Sequence, residues 1–113
     1  MKRGKHCPYF VGKLTIMTLS DLLASDQTGP VFRPLFKAQN GRLTAIRLHK
    51  GEVIKEHKSP VPAMLLVLEG AVLYEQAGEG ITRPLGALEY TEIPPDTIHQ
   101  VTAELDAYCI LVQ

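Results

Sequence analysis

From Val31 onward, short runs of apolar, β-branched and aromatic residues recur at intervals of about ten positions. The runs are Val31–Lys37, Arg42–His49, Val53–His57, Ala63–Glu69, Ala71–Gln76, Leu88–Ile93, Ile98–Thr102 and Ala107–Val112. Between them stand Asn40-Gly41, Lys50-Gly51, Ser59-Pro60, Gly78-Glu79-Gly80, Pro84-Leu85-Gly86 and Pro94-Pro95. Those residues favour turns, through a tolerated positive φ, a fixed φ or a missing N–H. Seven or eight short strands at this spacing predict an all-β sandwich or barrel. Ahead of them, Thr18–Ala24 predicts one or two turns of helix with a hydroxyl or carboxylate N-cap. Gln27-Thr28-Gly29-Pro30 then breaks the chain. The organisation expected is an N-terminal arm and short helix over residues 1–30, followed by a barrel over residues 31–113.

Side chains alternate across a strand, so parity sorts the faces. In Arg42–His49 the apolar parity is Thr44, Ile46 and Leu48, which puts Arg47 and His49 outside. Ala63–Leu68 is apolar on both parities, Met64, Leu66 and Leu68 on one and Ala63, Leu65 and Val67 on the other. One face fills the core. The second needs a cover, either the N-terminal segment or a second subunit, and a homodimer is expected on that ground.

Composition narrows the class of function. A chain of 113 residues is one domain with a sizeable core. Twelve basic and twelve acidic side chains cancel, so no net field draws nucleic acid or an anionic membrane. Lys2, Arg3, Lys5 and His6 form a short charged terminus that reads as a solvated tail. Lys13 interrupts the only early apolar stretch, and no run approaches a membrane span, so the expected location is cytoplasmic. Cys7 and Cys109 make no zinc or redox spacing. Cys109, inside Ala107–Val112, reads as a small buried hydrophobe and Cys7 as a free thiol.

Two segments about forty residues apart concentrate the chemistry. The first runs from Gly51 through His57, Ser59 and Ala63 to Gly70; the second is Ile93-Pro94-Pro95-Asp96-Thr97-Ile98-His99-Gln100-Val101. Their spacing resembles the two motifs of the cupin family. The first family motif is Gly, five residues, His, one residue, His, three or four residues, Glu, six residues, Gly. Gly51, His57 and Gly70 match it, while Ser59 stands for the second His and Ala63 for the Glu. The second is Gly, five residues, Pro, one residue, Gly, two residues, His, three residues, Asn. Pro94 and His99 match; Leu88, Asp96 and Ala103 replace the two glycines and the Asn.

The resemblance spans roughly Val31 to Val112 and implies a cupin-type double-stranded jelly-roll barrel whose mouth holds a site. It puts His57 and His99 at metal-ligand positions and, by parity from His57, sets Lys55 and Ser59 in the same cavity as ligand-binding candidates, Lys55 either facing inward to hold a carboxylate or phosphate or lying at the rim with its head in water. Glu56 and Lys58 then point away. Sets of two or three imidazoles with a carboxylate hold Fe, Zn, Mn or Ni and leave positions for water or substrate. With Ser59 and Ala63 in two of the four places, Glu75, Glu92, Tyr90 and Gln100 are the possible substitute donors. Alternatively the two histidines satisfy each other, a backbone group or water inside a polar barrel mouth, with no metal. Two functions follow. One is a metal-dependent oxygenase or isomerase acting through His57 and His99; the other is a non-catalytic ligand-binding or sensor module without its metal. Both bind a small molecule.

Overall fold

The structure, a computed structural model, describes residues 9–11 and 14–113, with side chains from Met17 onward. Cys7 and the basic residues Lys2, Arg3, Lys5 and His6 lie outside the described residues. Strands β1 (Tyr9–Val11) and β2 (Leu14–Ile16) pair as a small hairpin that the turn pattern did not announce. Helix α1 (Leu19–Leu22) follows, capped by Thr18, whose Oγ1 accepts from the Asp21 N–H at 3.1 Å. No helix among the described residues is long and apolar enough to cross a membrane.

Nine strands then build the barrel. They are β3 (Val31–Ala38), β4 (Gly41–Leu48), β5 (Val53–His57), β6 (Ala63–Glu69), β7 (Ala71–Gln76), β8 (Ile81–Gly86), β9 (Tyr90–Ile93), β10 (His99–Ala103) and β11 (Ala107–Val112). They form two antiparallel sheets, one in the order β5-β10-β7-β8 and one in the order β3-β4-β11-β6-β9. This is the jelly-roll arrangement. Strand β8 escaped the sequence pattern because Pro84 and the flanking glycines read as turn. Pro84 is accommodated because β8 is the sheet's edge strand, where a missing N–H costs no ladder bond.

The two sheets face each other across one core, in which Ile46, Leu48, Leu65, Val67, Val72, Tyr74, Val101 and Cys109 are buried. Burial raises the Cys109 thiol to about 12, so it stays protonated and apolar in character. The other parity of β6 meets a second cluster, where Leu66 and Leu68 join Leu43, Ala45 and Ile110 under Leu19, Leu22 and Leu23 of the α1 segment. The N-terminal segment thus supplies cover for the two-sided strand. Arg47, on that outer parity, is not simply solvated. Its Nη1 donates to the Leu23 and Ser25 carbonyls at 2.9 and 3.3 Å, clamping the segment to the sheet. Glu52 adds a second tie, accepting from the N–H of Gly29 and of His49 at 2.8 Å each.

Candidate functional site

The C-terminal end of β5 and the start of β10 meet at one mouth of the barrel. His57 and His99 are direct partners across that ladder. Their ring centroids lie 4.3 Å apart with the planes tilted by 56°. Each ring is anchored to its own strand: the Nδ1 of His57 lies 2.8 Å from the Lys55 carbonyl, and that of His99 2.9 Å from the Thr97 carbonyl. A carbonyl oxygen can only accept, so each Nδ1 carries a proton, and the neutral ring keeps its lone pair on Nε2.

His99 is 5% exposed and its ring lies 5.7 Å from that of Tyr74. Burial pushes its pKa below the ordinary imidazole value of 6.5; the bond to Thr97 opposes this and the neighbouring His57 adds to it. The folded state therefore holds His99 neutral at a pH where the unfolded chain already takes up a proton. Its contribution to stability is complete above about pH 6.5 and is lost as the pH falls through the depressed folded value. Urea titrations should accordingly give a lower midpoint at pH 5 than at pH 8, and His99→Gln should flatten that difference. An unchanged pH profile in the variant would assign the loss to other groups.

Three spaces lie at this end of the barrel, each sharing lining residues with the next. An inner cavity of about 40 Å³ lies against His57 and His99 and is otherwise walled by apolar side chains, among them Phe32, Ile54, Ile93 and Leu111. It admits a water or two and no organic molecule. The mouth above it, about 310 Å³, is lined by Arg42, His57, Lys58, Ser59, Pro60, Ala63, Ile93, His99, Leu111 and Gln113. A larger open cleft of about 600 Å³ continues outward past Lys37 and the Ser59–Pro62 loop, sharing Arg42, Ser59, Pro60 and Gln113 with the mouth.

The structure brings His57, His99 and Ser59 to this one mouth and leaves Lys55 out. Alternation breaks at a β-bulge: His99 and Val101 of β10 pair with His57 and Ile54 of β5, so β5 carries one extra residue. Ile54 and His57 therefore both face the inner cavity, whereas Lys55 is exposed and lines none of the three spaces. Lys58, expected to point away, lines the mouth because the strand has ended at His57 and alternation no longer applies. His49 is exposed near Asp106, as its parity implied.

Arg42, Gln113 and Phe32 were not among the candidates, yet the signal for Arg42 was present. It shares parity with Thr44, Ile46 and Leu48, and extending that face two residues back puts it on the barrel rim. Gln113 pairs with it beyond the end of β11: the Arg42 N–H donates to the Gln113 carbonyl at 2.8 Å.

A transition metal, which the motif positions imply, does not fit this donor set. Ser59 is a weak neutral donor and Ala63 has none. Of the substitutes, Glu75 and Gln100 lie on the parity opposite buried Tyr74, Gln76 and His99; Glu92 and Tyr90 are exposed, and neither lines the mouth, Glu92 lining the adjoining cleft beside Pro62. Among the described residues no group of three or more His, Cys, Asp or Glu side chains could hold an ion. Two imidazoles fall short of the three or four protein ligands that hold such an ion.

The replaced glycines leave a backbone signature. Leu88 and Asp96, at the two glycine positions of the second motif, have φ of +68° and +55°, the left-handed region. Asp tolerates it through local hydrogen bonding; a leucine gains nothing, and its side chain is 76% exposed. Leu88→Gly should therefore stabilise the protein by about 1 kcal/mol, the left-handed penalty less glycine's entropic cost. Chemical denaturation checks this, and a lower midpoint would mean that the leucine side chain makes a contact of value.

No protein-family model and no curated protein matches this chain. Solved structures do. A cupin superfamily protein from Desulfitobacterium hafniense superposes with a TM-score of 0.76 at 14% identity, covering 99% of this chain and 97% of that one. A conserved protein of unknown function from Streptococcus pyogenes gives 0.72 at 24% identity, with 86% and 83% covered. A double-stranded β-helix domain protein from Klebsiella pneumoniae gives 0.73 at 19%, with 86% of each chain covered. With the sheet order and the placement of both motifs, these likenesses establish that the chain has the cupin fold, a double-stranded β-helix.

Proposed function

We propose that this protein is a non-catalytic cupin that binds a small molecule in the mouth above His57 and His99, without a resident transition metal. One observation carries the reading: the two imidazoles meet at the floor of an open 310 Å³ space, and among the described residues no His, Cys, Asp or Glu side chain joins them as a third ligand. That volume lies at the low end of the range for small-ligand sites. The apolar wall of Ile93 and Leu111, with Ser59 and the two imidazoles as directional groups, has the composition such sites favour.

The metal-enzyme reading keeps one specific support. Fixing Nδ1–H on a backbone carbonyl and leaving Nε2 free is the orientation of metal-bound histidines. In the reading proposed here, the same anchoring presents two hydrogen-bond acceptors to an organic ligand. An NMR screen of small neutral and charged fragments against the labelled protein tests it. Binding should move the amides of His57, Lys58, Ser59, His99 and Gln113; a screen in which no fragment moves them would sink the proposal.

A further inference from the structure

We infer that the mouth selects a compact organic acid bearing a hydrogen-bond donor at the end away from its carboxylate, with Arg42 and Lys58 holding the acid and the imidazoles taking the donor. This rests on the mouth being a ligand site and adds the chemistry of what enters it. The charge distribution is the first ground. Acidic and basic side chains are equal in number over the chain, yet Arg42 and Lys58 line the mouth and no Asp or Glu side chain does. The outer cleft adds Lys37, again with no acidic side chain; Glu92 lines the neighbouring cleft on the far side of Ala63 and Ile93 and not the mouth itself. Cations gathered in a concave site focus a positive potential on whatever enters. Arg42 engages Gln113 Oε1 only through Nε, at 3.3 Å, and no protein group among the described residues takes its two Nη donors. That is the fork a carboxylate fits.

The floor has the opposite polarity. His99 lines the space, and its Nδ1–H is committed to the Thr97 carbonyl, which leaves Nε2 as the ring's acceptor. A ligand hydroxyl entering the mouth can donate to that acceptor at no cost in charge. Between the two ends Ala63, Ile93 and Leu111 offer only apolar surface, so the body of the ligand is apolar and about one ring in size.

Three probes separate these elements: 4-hydroxybenzoate, benzoate and 4-hydroxybenzamide, titrated into the full chain by NMR near neutral pH at low salt. The expected order puts 4-hydroxybenzoate about tenfold tighter than either of the others, since each lacks one charged or buried hydrogen bond. Arg42 is exposed, so Arg42→Gln leaves the core intact. It should weaken 4-hydroxybenzoate about tenfold while leaving the amide unchanged. Added salt should weaken the acids and spare the amide. Equal affinity for acid and amide, or no effect of Arg42→Gln, overturns the anion assignment. Equal affinity for the two acids overturns the donor assignment. Failure of all three probes overturns the inference as a whole, and if neutral fragments still move the mouth amides, the binding-module reading survives it.

Discussion

Gly70→Ala is expected to cost about 3–5 kcal/mol, enough to leave a domain of ordinary stability largely unfolded. Gly70 turns the chain from β6 into β7 with φ at +88°, and the β10–β11 turn crosses directly over it. A β-carbon there would collide with the Asp106 carbonyl oxygen and sit 2.8 Å from the Ala107 Cα, all backbone atoms that cannot rotate away. The same turn is stitched by the Glu104 and Leu105 N–H groups donating to the Ala71 carbonyl at 2.9 and 3.2 Å, so it cannot shift without breaking them. Gly51 is the control. It has the same φ of +88° but nothing within 4 Å of its added β-carbon. Gly51→Ala should therefore lose only the left-handed penalty, about 1–2 kcal/mol. Equal losses in the two variants, measured by urea unfolding, would mean that φ alone matters and that the close approach at Gly70 relaxes freely.

The second large effect is a gain. Ser59→His combined with Ala63→Glu should raise Zn²⁺ or Ni²⁺ affinity by on the order of a hundredfold or more, read by calorimetry. The physical ground is placement: Ser59 and Ala63 line the same mouth as His57 and His99, so the restored imidazole and carboxylate enter a space where two imidazole rings already lie side by side. The completed set of three His and one Glu supplies the ligand number that such ions require. Removing His99 from the double variant should abolish the gain. A double variant no better than the parent would show that the mouth has changed in shape as well as in residues.

What the sequence made legible follows from which physical signal each feature carries. Period-2 patterning and turn residues placed all eight expected strands to within two residues, because a half-buried strand writes its burial directly into parity. Strand β8 was hidden by Pro84, since the same residue marks a turn and a tolerated edge position. The motif spacing brought His57, His99 and Ser59 to one mouth. Lys55 left the mouth because a bulge adds a residue to β5, and Lys58 joined it because the strand ends at His57; no local composition records either event. The face of Arg42 was readable from Thr44, Ile46 and Leu48, but its role depends on Gln113 and the Ser59 loop, which only the folded chain brings alongside. Leu88 and Asp96 show the converse. Their side chains conceal a left-handed backbone that glycine would have announced.

The most direct test of a metal-free binding site is the metal content of the untagged protein, purified without chelator and passed through gel filtration. With His57 and His99 the only strong donors at the site among the described residues, no transition metal should approach one ion per chain. A stoichiometric Fe, Zn, Mn or Ni ion retained through that procedure would contradict the account and restore the metal-dependent enzyme in its place.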